Sequence, residues 1–335
     1  MQYRLLKRLR PRFNGEIVLG GPQITYQKPD ALLVEYPDAD VFVRGAGEQA
    51  LVELAQGNTG EIAGVIRRNG MASSSSFSKV VLKDLPSPLL TPDVLSASQC
   101  APMVRWETAR GCAYQCSFCA HDTAPGMRVV DRISTSRLKS EAQLLARAPV
   151  RRLNILDPLF NANRGHVENV VDALEDAGFS GEVTAQMHFG AILPKHRSFW
   201  MDQLGRLDFD LEFGLQTGTV EVAKECGRKL DRRNVENVVN ALRRHNIRFM
   251  STLIYGLPYQ TLESFVSTLK WCRQIGIERV RAYPLSLLVG TQFHARQKEL
   301  GLREGCADEM GEVPIVVETP WMSAEEMKIA SSMVC

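Results

Sequence analysis

The chain has 335 residues, 44% hydrophobic and 23% charged, enough to bury one large core or a large and a small one. A formal charge of +2 supplies no global field for recruiting nucleic acid or acidic partners. No apolar run approaches a membrane span and no signal peptide opens the chain, so its eight cysteines are expected in the reducing cytoplasm, with no membrane or nucleic-acid partner.

The opening MQYRLLKRLRPR carries Arg4, Lys7, Arg8, Arg10 and Arg12 and reads as a solvated terminal helix. Residues 16–22 read as a short buried strand stopped by Gly20, Gly21 and Pro22. Residues 40–48 read as a second strand, with a helix over 49–56. A serine-rich connector at 71–78 and the Leu85-Pro-Ser-Pro stretch mark a boundary. The expected division is a small α/β region and linker over 1–95, a core over 96–305 and a tail over 306–335. From residue 103 strands and helices alternate. Strands are expected at 104–108, 153–156, 183–188, 209–215, 249–255 and 280–285. Helices are expected at 135–146, 167–177, 199–204, 234–245, 264–274 and 292–300. Six β-α units imply a parallel sheet wound into a partial (β/α)6 TIM barrel, with chemistry at the C-terminal strand ends.

The first core strand runs into Cys112, Cys116 and Cys119, spaced C-x3-C-x2-C. Three thiolates so close in sequence can converge on one object, and an iron–sulfur cube usually takes four ligands, leaving one iron open. A zinc knuckle completed by His121, or three unrelated thiols, are the other readings. Cys100, Cys226, Cys272, Cys306 and Cys335 lack paired spacing and read as ordinary thiols rather than ligands of a second cluster. Strand parity turns Glu212 and His188 into the barrel. An inward carboxylate needs an arginine or a substrate, and both residues are candidate catalytic bases. Arg281 and Tyr283 share a face of the last strand and are assigned to a substrate pocket.

With the aromatic Phe118 before its last cysteine, the motif resembles the signature of the radical S-adenosylmethionine (SAM) enzymes. The resemblance implies a [4Fe-4S] cluster on the three cysteines, SAM on the open iron, and release of a 5′-deoxyadenosyl radical. It continues along the barrel. Ile155 to Asn161, with Asp157, resembles the strand-two segment near the amino end of SAM. Phe213-Gly-Leu-Gln216 and Arg228 resemble the strand-four region of the coproporphyrinogen-oxidase-like branch. There the glutamine contacts SAM and the arginine pairs with its carboxylate. Leu253 to Thr261, with Gly256 and Pro258, resembles the turn that packs on adenine. Thr252 stands where that branch has an aspartate, and Gln186 where it often has glutamate. Leu288-Val-Gly290-Thr291 resembles the turn after strand six in the cobalamin-associated branch.

The stretches around Gly20-Gly21-Pro22 and 39–51 resemble the C-terminal half of a cobalamin-binding domain. Its front half and metal-binding histidine are missing, and no histidine precedes His121. A shortened remnant used for packing is expected, without bound cobalamin. Little chain follows strand six, so a small sugar or nucleoside-sugar substrate is expected in the barrel mouth. By similarity to the cytosylglucuronate decarboxylase and aminoglycoside diol-dehydratase group, the expected reaction is decarboxylation or dehydration in antibiotic biosynthesis. The electron donor would be a flavodoxin or ferredoxin. A cobalamin-dependent radical SAM methyltransferase and a noncatalytic iron–sulfur or zinc scaffold are the alternatives.

Overall fold

The structure is a computed structural model that describes residues 2–70, 74, 76–91, 102–122, 130–306 and 314–334. Most of the serine-rich connector, the boundary at 95–96, Cys100, Cys335 and the Cys306 side chain lie outside the described residues.

The N-terminal unit begins with α1 (Gln2–Leu9), which buries Leu6 and leaves Leu5 exposed. Then come β1 (Val18–Leu19), α2 (Pro22–Thr25), α3 (Pro29–Glu35), β2 (Val41–Val43), α4 (Glu48–Ala55) and β3 (Val65–Arg67). The strand expected over 16–22 shrinks to two residues. Gly21 adopts φ +95°, and Pro22, with no amide hydrogen to offer a ladder, opens a helix instead. β2 pairs with β1 in parallel and with β3 antiparallel. Its alternation builds two small cores: Phe42 joins Leu6, Ile17, Ile24 and Leu32, while Val41 and Val43 join Ala50 and Val65.

The main unit starts with β4 (Met103–Trp106). The short antiparallel pair β5 (Ala109–Arg110) and β6 (Asp131–Arg132) brackets the cysteine segment. Then follow α5 (Thr135–Arg147), β7 (Arg152–Ile155), α6 (Arg164–Asp176), β8 (Glu182–Met187), α7 (Arg197–Leu204), β9 (Phe209–Gln216), α8 (Val220–Glu225), α9 (Arg232–Arg244), β10 (Arg248–Tyr255), α10 (Leu262–Gln274) and β11 (Val280–Pro284). Strands β4, β7, β8, β9, β10 and β11 pair in that order, all in parallel, and the two edge strands do not meet. The result is a parallel half-closed α/β barrel. Beyond it lie α11 (Gln292–Ala295), the antiparallel β12 (Arg303–Cys306) and β13 (Pro314–Glu318), and α12 (Ala324–Ser332). The helix expected over 292–300 is a single turn.

β9 shows why the sheet has a wet face and a dry one. Phe209, Leu211, Phe213 and Leu215 are buried towards the helices, while Asp210, Glu212, Gly214 and Gln216 alternate onto the inner face. α9 answers with Val235, Val238, Val239 and Leu242, a single apolar stripe at helical spacing. Each such side chain contributes about 1.5–3 kcal/mol when fully buried. The N-terminal ends of the strands carry a charged floor in which Arg248 lies 2.9 Å from Glu182 and 2.8 Å from Asp208. The opposite ends carry the site.

Candidate active site

The cysteine segment is fixed before its first thiol. Asp157 accepts from the Thr108 amide at 2.8 Å, the Thr108 hydroxyl at 2.6 Å and the Ala109 amide at 2.7 Å. His166 Nε2 lies 3.3 Å from the same carboxylate. Asp157 is 1% exposed, so its oxygens are committed to the loop root. In this arrangement it orients the root of the loop.

Further contacts hold the segment from three sides. Arg110 makes a bidentate pair with Glu107 at 2.8 Å and reaches Glu48 of α4 at 2.8 Å. The Tyr26 hydroxyl, from the turn after α2, donates to the Ala120 carbonyl. The Ser117 amide donates to the Cys226 carbonyl at 3.0 Å, and the Phe293 amide donates to the Ser117 carbonyl at 3.0 Å. Gly227, at φ +68°, passes so close that a side chain there would sit 2.6 Å from the Gln115 carbonyl. Phe118 is half-buried against the main core.

Cys112, Cys116 and Cys119 are all free thiols. Burial, with the nearby Cys116 and Cys112, pushes the Cys119 thiol up to about 11, against the pull of Arg228. The three sulfurs and the guanidinium therefore sense one another. Arg228 Nη1 lies 3.7 Å from Cys116 Sγ, and Nη2 donates to the Gly214 carbonyl at 2.6 Å. Among the described residues no three His, Cys, Asp or Glu side chains are grouped to grip a single ion, with or without His121. A donor set of three thiols on one short loop fits an iron–sulfur cube, which takes each thiolate on a different iron.

A cavity of about 280 Å³ opens beside the loop, lined in part by Tyr114, His188, Gly214, Arg228, Leu230 and Asn234. Gln216, next in sequence to the cavity-lining Leu215, has φ +69°, a conformation costly for a residue other than glycine. Its amide folds back over Gly214, where a side chain would come within 2.8 Å of Gln216 Nε2. Ladder register also shifts between Thr252 and Leu253, opposite this residue.

His188 stacks on Tyr114 with ring centroids 4.6 Å apart. Its Nδ1 accepts from the Gly190 amide at 2.9 Å, which assigns the ring proton to Nε2. Asn161 clamps its backbone, accepting from the His188 amide and donating to the His188 carbonyl, both at 3.0 Å. Burial, with Arg228 nearby, pushes His188 down to about 3. A ring held neutral in this way is a weak base near neutral pH. The ring is a neutral wall of the cavity.

Glu212 lies one layer deeper, opposite Gln186 of β8. Burial raises its carboxyl above the usual range, opposed by Arg281 and by a hydrogen bond from Thr252. Thr252 stands opposite Arg281, and Ile254 opposite the half-exposed Tyr283. The structure thus gathers Gln186, Glu212, Thr252, Arg281 and Tyr283 on one inner wall.

The turn holding Gly256 and Pro258 answers to another partner. A side chain at Gly256, φ +77°, would come within 2.6 Å of Met327 Cε on α12. Gln260 staples the turn by donating to the Ile254 carbonyl at 3.1 Å, and Pro258 is buried. The glycine lets α12 pack closely at Met327. Tyr26, Glu48, Tyr114 and Asn161 were not singled out from the sequence. Each acts through a contact far along the chain, and no local pattern marks it.

Residues 106–272 match the family described as the Radical SAM superfamily. The chain is 28% identical over 329 residues to the cobalamin-dependent radical SAM methyltransferase TokK of Streptomyces tokunonensis, a match covering 90% of this chain and 47% of TokK. It is 26% identical to the 2-(S-pantetheinyl)-carbapenam-3-carboxylate methyltransferase of Streptantibioticus cattleyicolor, over 97% of this chain and 52% of that protein. The chain thus spans about half the length of the curated relatives it matches. Its fold resembles that of TsrM from Kitasatospora setae, solved with cobalamin and a [4Fe-4S] cluster, with a TM-score of 0.74 at 16% identity. That likeness covers 98% of this chain and 75% of TsrM.

These relatives overturn the expected decarboxylation or dehydration, since they are methyltransferases. The expected absence of cobalamin is likewise unsupported. Among the described residues no helix is long and apolar enough to cross a membrane.

Proposed function

Because the chain is a radical SAM enzyme whose radical SAM domain spans residues 106–272, we propose that it forms the radical SAM part of a cobalamin-dependent methyltransferase acting on a small molecule. The observation that carries this reading is the extent of the match to TokK: at 90% of the chain it must run into the N-terminal unit. That unit is fastened to the cysteine segment by the Glu48–Arg110 ion pair and the Tyr26–Ala120 hydrogen bond.

When bound, the cluster and SAM, given one electron by a flavodoxin- or ferredoxin-type donor, would supply a hydrogen-abstracting radical, and a corrinoid would supply a methyl carrier. Cys112, Cys116 and Cys119 are the thiolates for the cluster. Arg228 lies beside Cys116 and has guanidinium N–H groups to offer a carboxylate. Gln216, held in its rare conformation, presents an amide over Gly214. The Tyr114–His188 stack forms one wall of the cavity. Glu212 is the inner-wall carboxylate able to hold a substrate proton. In the N-terminal unit the parallel strands β1 and β2 end in Gly20-Gly21 and Arg44-Gly45, at the edge where open α/β sheets take ligands. Nothing lies within 4 Å of where a Gly21 side chain would be, so the edge is open there, while Ser78 closes on Gly45 beside it.

The test is anaerobic reconstitution with iron, sulfide and hydroxocobalamin, followed by gel filtration. Corrinoid absorbance is expected to travel with the protein in stoichiometric amount. Its complete loss would remove cobalamin from the proposal.

A further inference from the structure

Charge is handled differently on the barrel floor and in the layer above it. On the floor each carboxylate has an arginine: Glu182 with Arg152 and Arg248, Asp208 with Arg248 at 2.8 Å, Asp210 with Arg279 at 3.0 Å. One layer up stand Glu212 on β9 and Arg281 on β11. Among the described residues neither belongs to an ion pair, although the Arg281 charge is felt at Glu212.

The sheet explains why they stay apart. β10 runs between them, with Glu212 opposite Met250 and Arg281 opposite Thr252. Two strand spacings sideways and two residues along place their Cα atoms about 12 Å apart. Thr252, between them, spends its hydroxyl on Glu212. Above Glu212 on the same face is Gly214, whose lack of a side chain leaves the way open to the cavity beside Arg228. Glu212 is half-buried and keeps a desolvation cost that a cation would relieve, while Arg281 is exposed and leaves its guanidinium open to an anion. A ligand carrying both charges can meet both ends.

We propose that Glu212, Thr252 and Arg281 form a subsite for the zwitterionic end of the substrate, an α-amino-acid group with its carboxylate on Arg281 and its ammonium on Glu212. This rests on the reading of the barrel as a small-molecule methyltransferase site, and it names the substrate class. The guanidinium fork suits a carboxylate, and Glu212 is an acceptor for ammonium hydrogens. Gln186 and Tyr283 flank the two charges and face the rest of the molecule.

The experiment is calorimetric titration of the reconstituted, unreduced protein with SAM present. The probes are L-α-amino acids from alanine to tryptophan, with the methyl ester and N-acetyl derivative of each. At least one amino acid should bind, with its ester and its N-acetyl form each about tenfold weaker or worse. Arg281→Gln should abolish the preference for the free carboxylate and keep that for the free ammonium, and Glu212→Gln should do the reverse. These preferences are ratios within one variant, so partial loss of folded protein does not alter them. Absence of binding by every amino acid, or derivatives binding as well as their parents, would overturn the subsite. No reductant or corrinoid enters this measurement. A protein that retains corrinoid and cleaves SAM yet ignores amino acids loses the subsite alone, while one that binds them without those activities loses the methyltransferase reading alone.

Discussion

His188 shows how a residue's surroundings decide its chemistry. The strand pattern turns it inward, but burial and Arg228 lower it from 6.5 to about 3, and the Gly190 amide occupies its Nδ1. With the folded value below the unfolded one, the unfolded chain binds the extra proton first. The neutral ring therefore supports the fold fully above pH 6.5 and loses that contribution as pH falls towards 3. Replacing it by phenylalanine keeps an aromatic partner for Tyr114 and removes the titration. His188→Phe should show a shallower fall of thermal midpoint between those pH values than the parent, and an equal slope would refute this account. Asp157 and Gly256 make a related point. Both lie in recognisable motif stretches, and they pack against Thr108, 49 positions from Asp157, and against Met327 of α12. Such partners cannot be read from neighbours in sequence.

Elements were more legible than residues. The strict alternation of β9 and the apolar stripe of α9 announce their faces, because one period matches a pleat and the other a helical turn. The strand within 16–22 stops at Gly20, Gly21 and Pro22 as their local chemistry dictates, though it is only two residues long, whereas the helix expected over 292–300 stops after one turn. At Gly227 the approach of two elements tolerates no side chain, since the Gln115 carbonyl lies where a Cβ would go and φ is +68°. Gly227→Ala should therefore push the cysteine loop off α8. Reconstituted protein is expected to hold less than half the parent's iron, about the effect of a 1–3 kcal/mol strain on the loop. Parental iron content would show that the contact is slack.

On the scale of the whole molecule, the N-terminal unit and the barrel meet at the cysteine segment. Composition and charge could not reveal this, because the meeting rests on single side chains such as Tyr26 and Glu48. Tyr26→Phe removes one hydrogen bond, to Ala120, and should weaken the docking by about 0.5–1.5 kcal/mol. Limited proteolysis should then cut between the two units faster than in the parent, and an unchanged rate would deny Tyr26 that role.

The measurement that most directly tests the central claim is chromatography of SAM products from the reduced, reconstituted protein supplied with hydroxocobalamin and candidate small-molecule acceptors. A cobalamin-dependent methyltransferase is predicted to yield S-adenosylhomocysteine together with 5′-deoxyadenosine, and a Cys112→Ala, Cys116→Ala, Cys119→Ala variant should lose the 5′-deoxyadenosine. Formation of 5′-deoxyadenosine with no S-adenosylhomocysteine under any of these conditions would contradict methyl transfer.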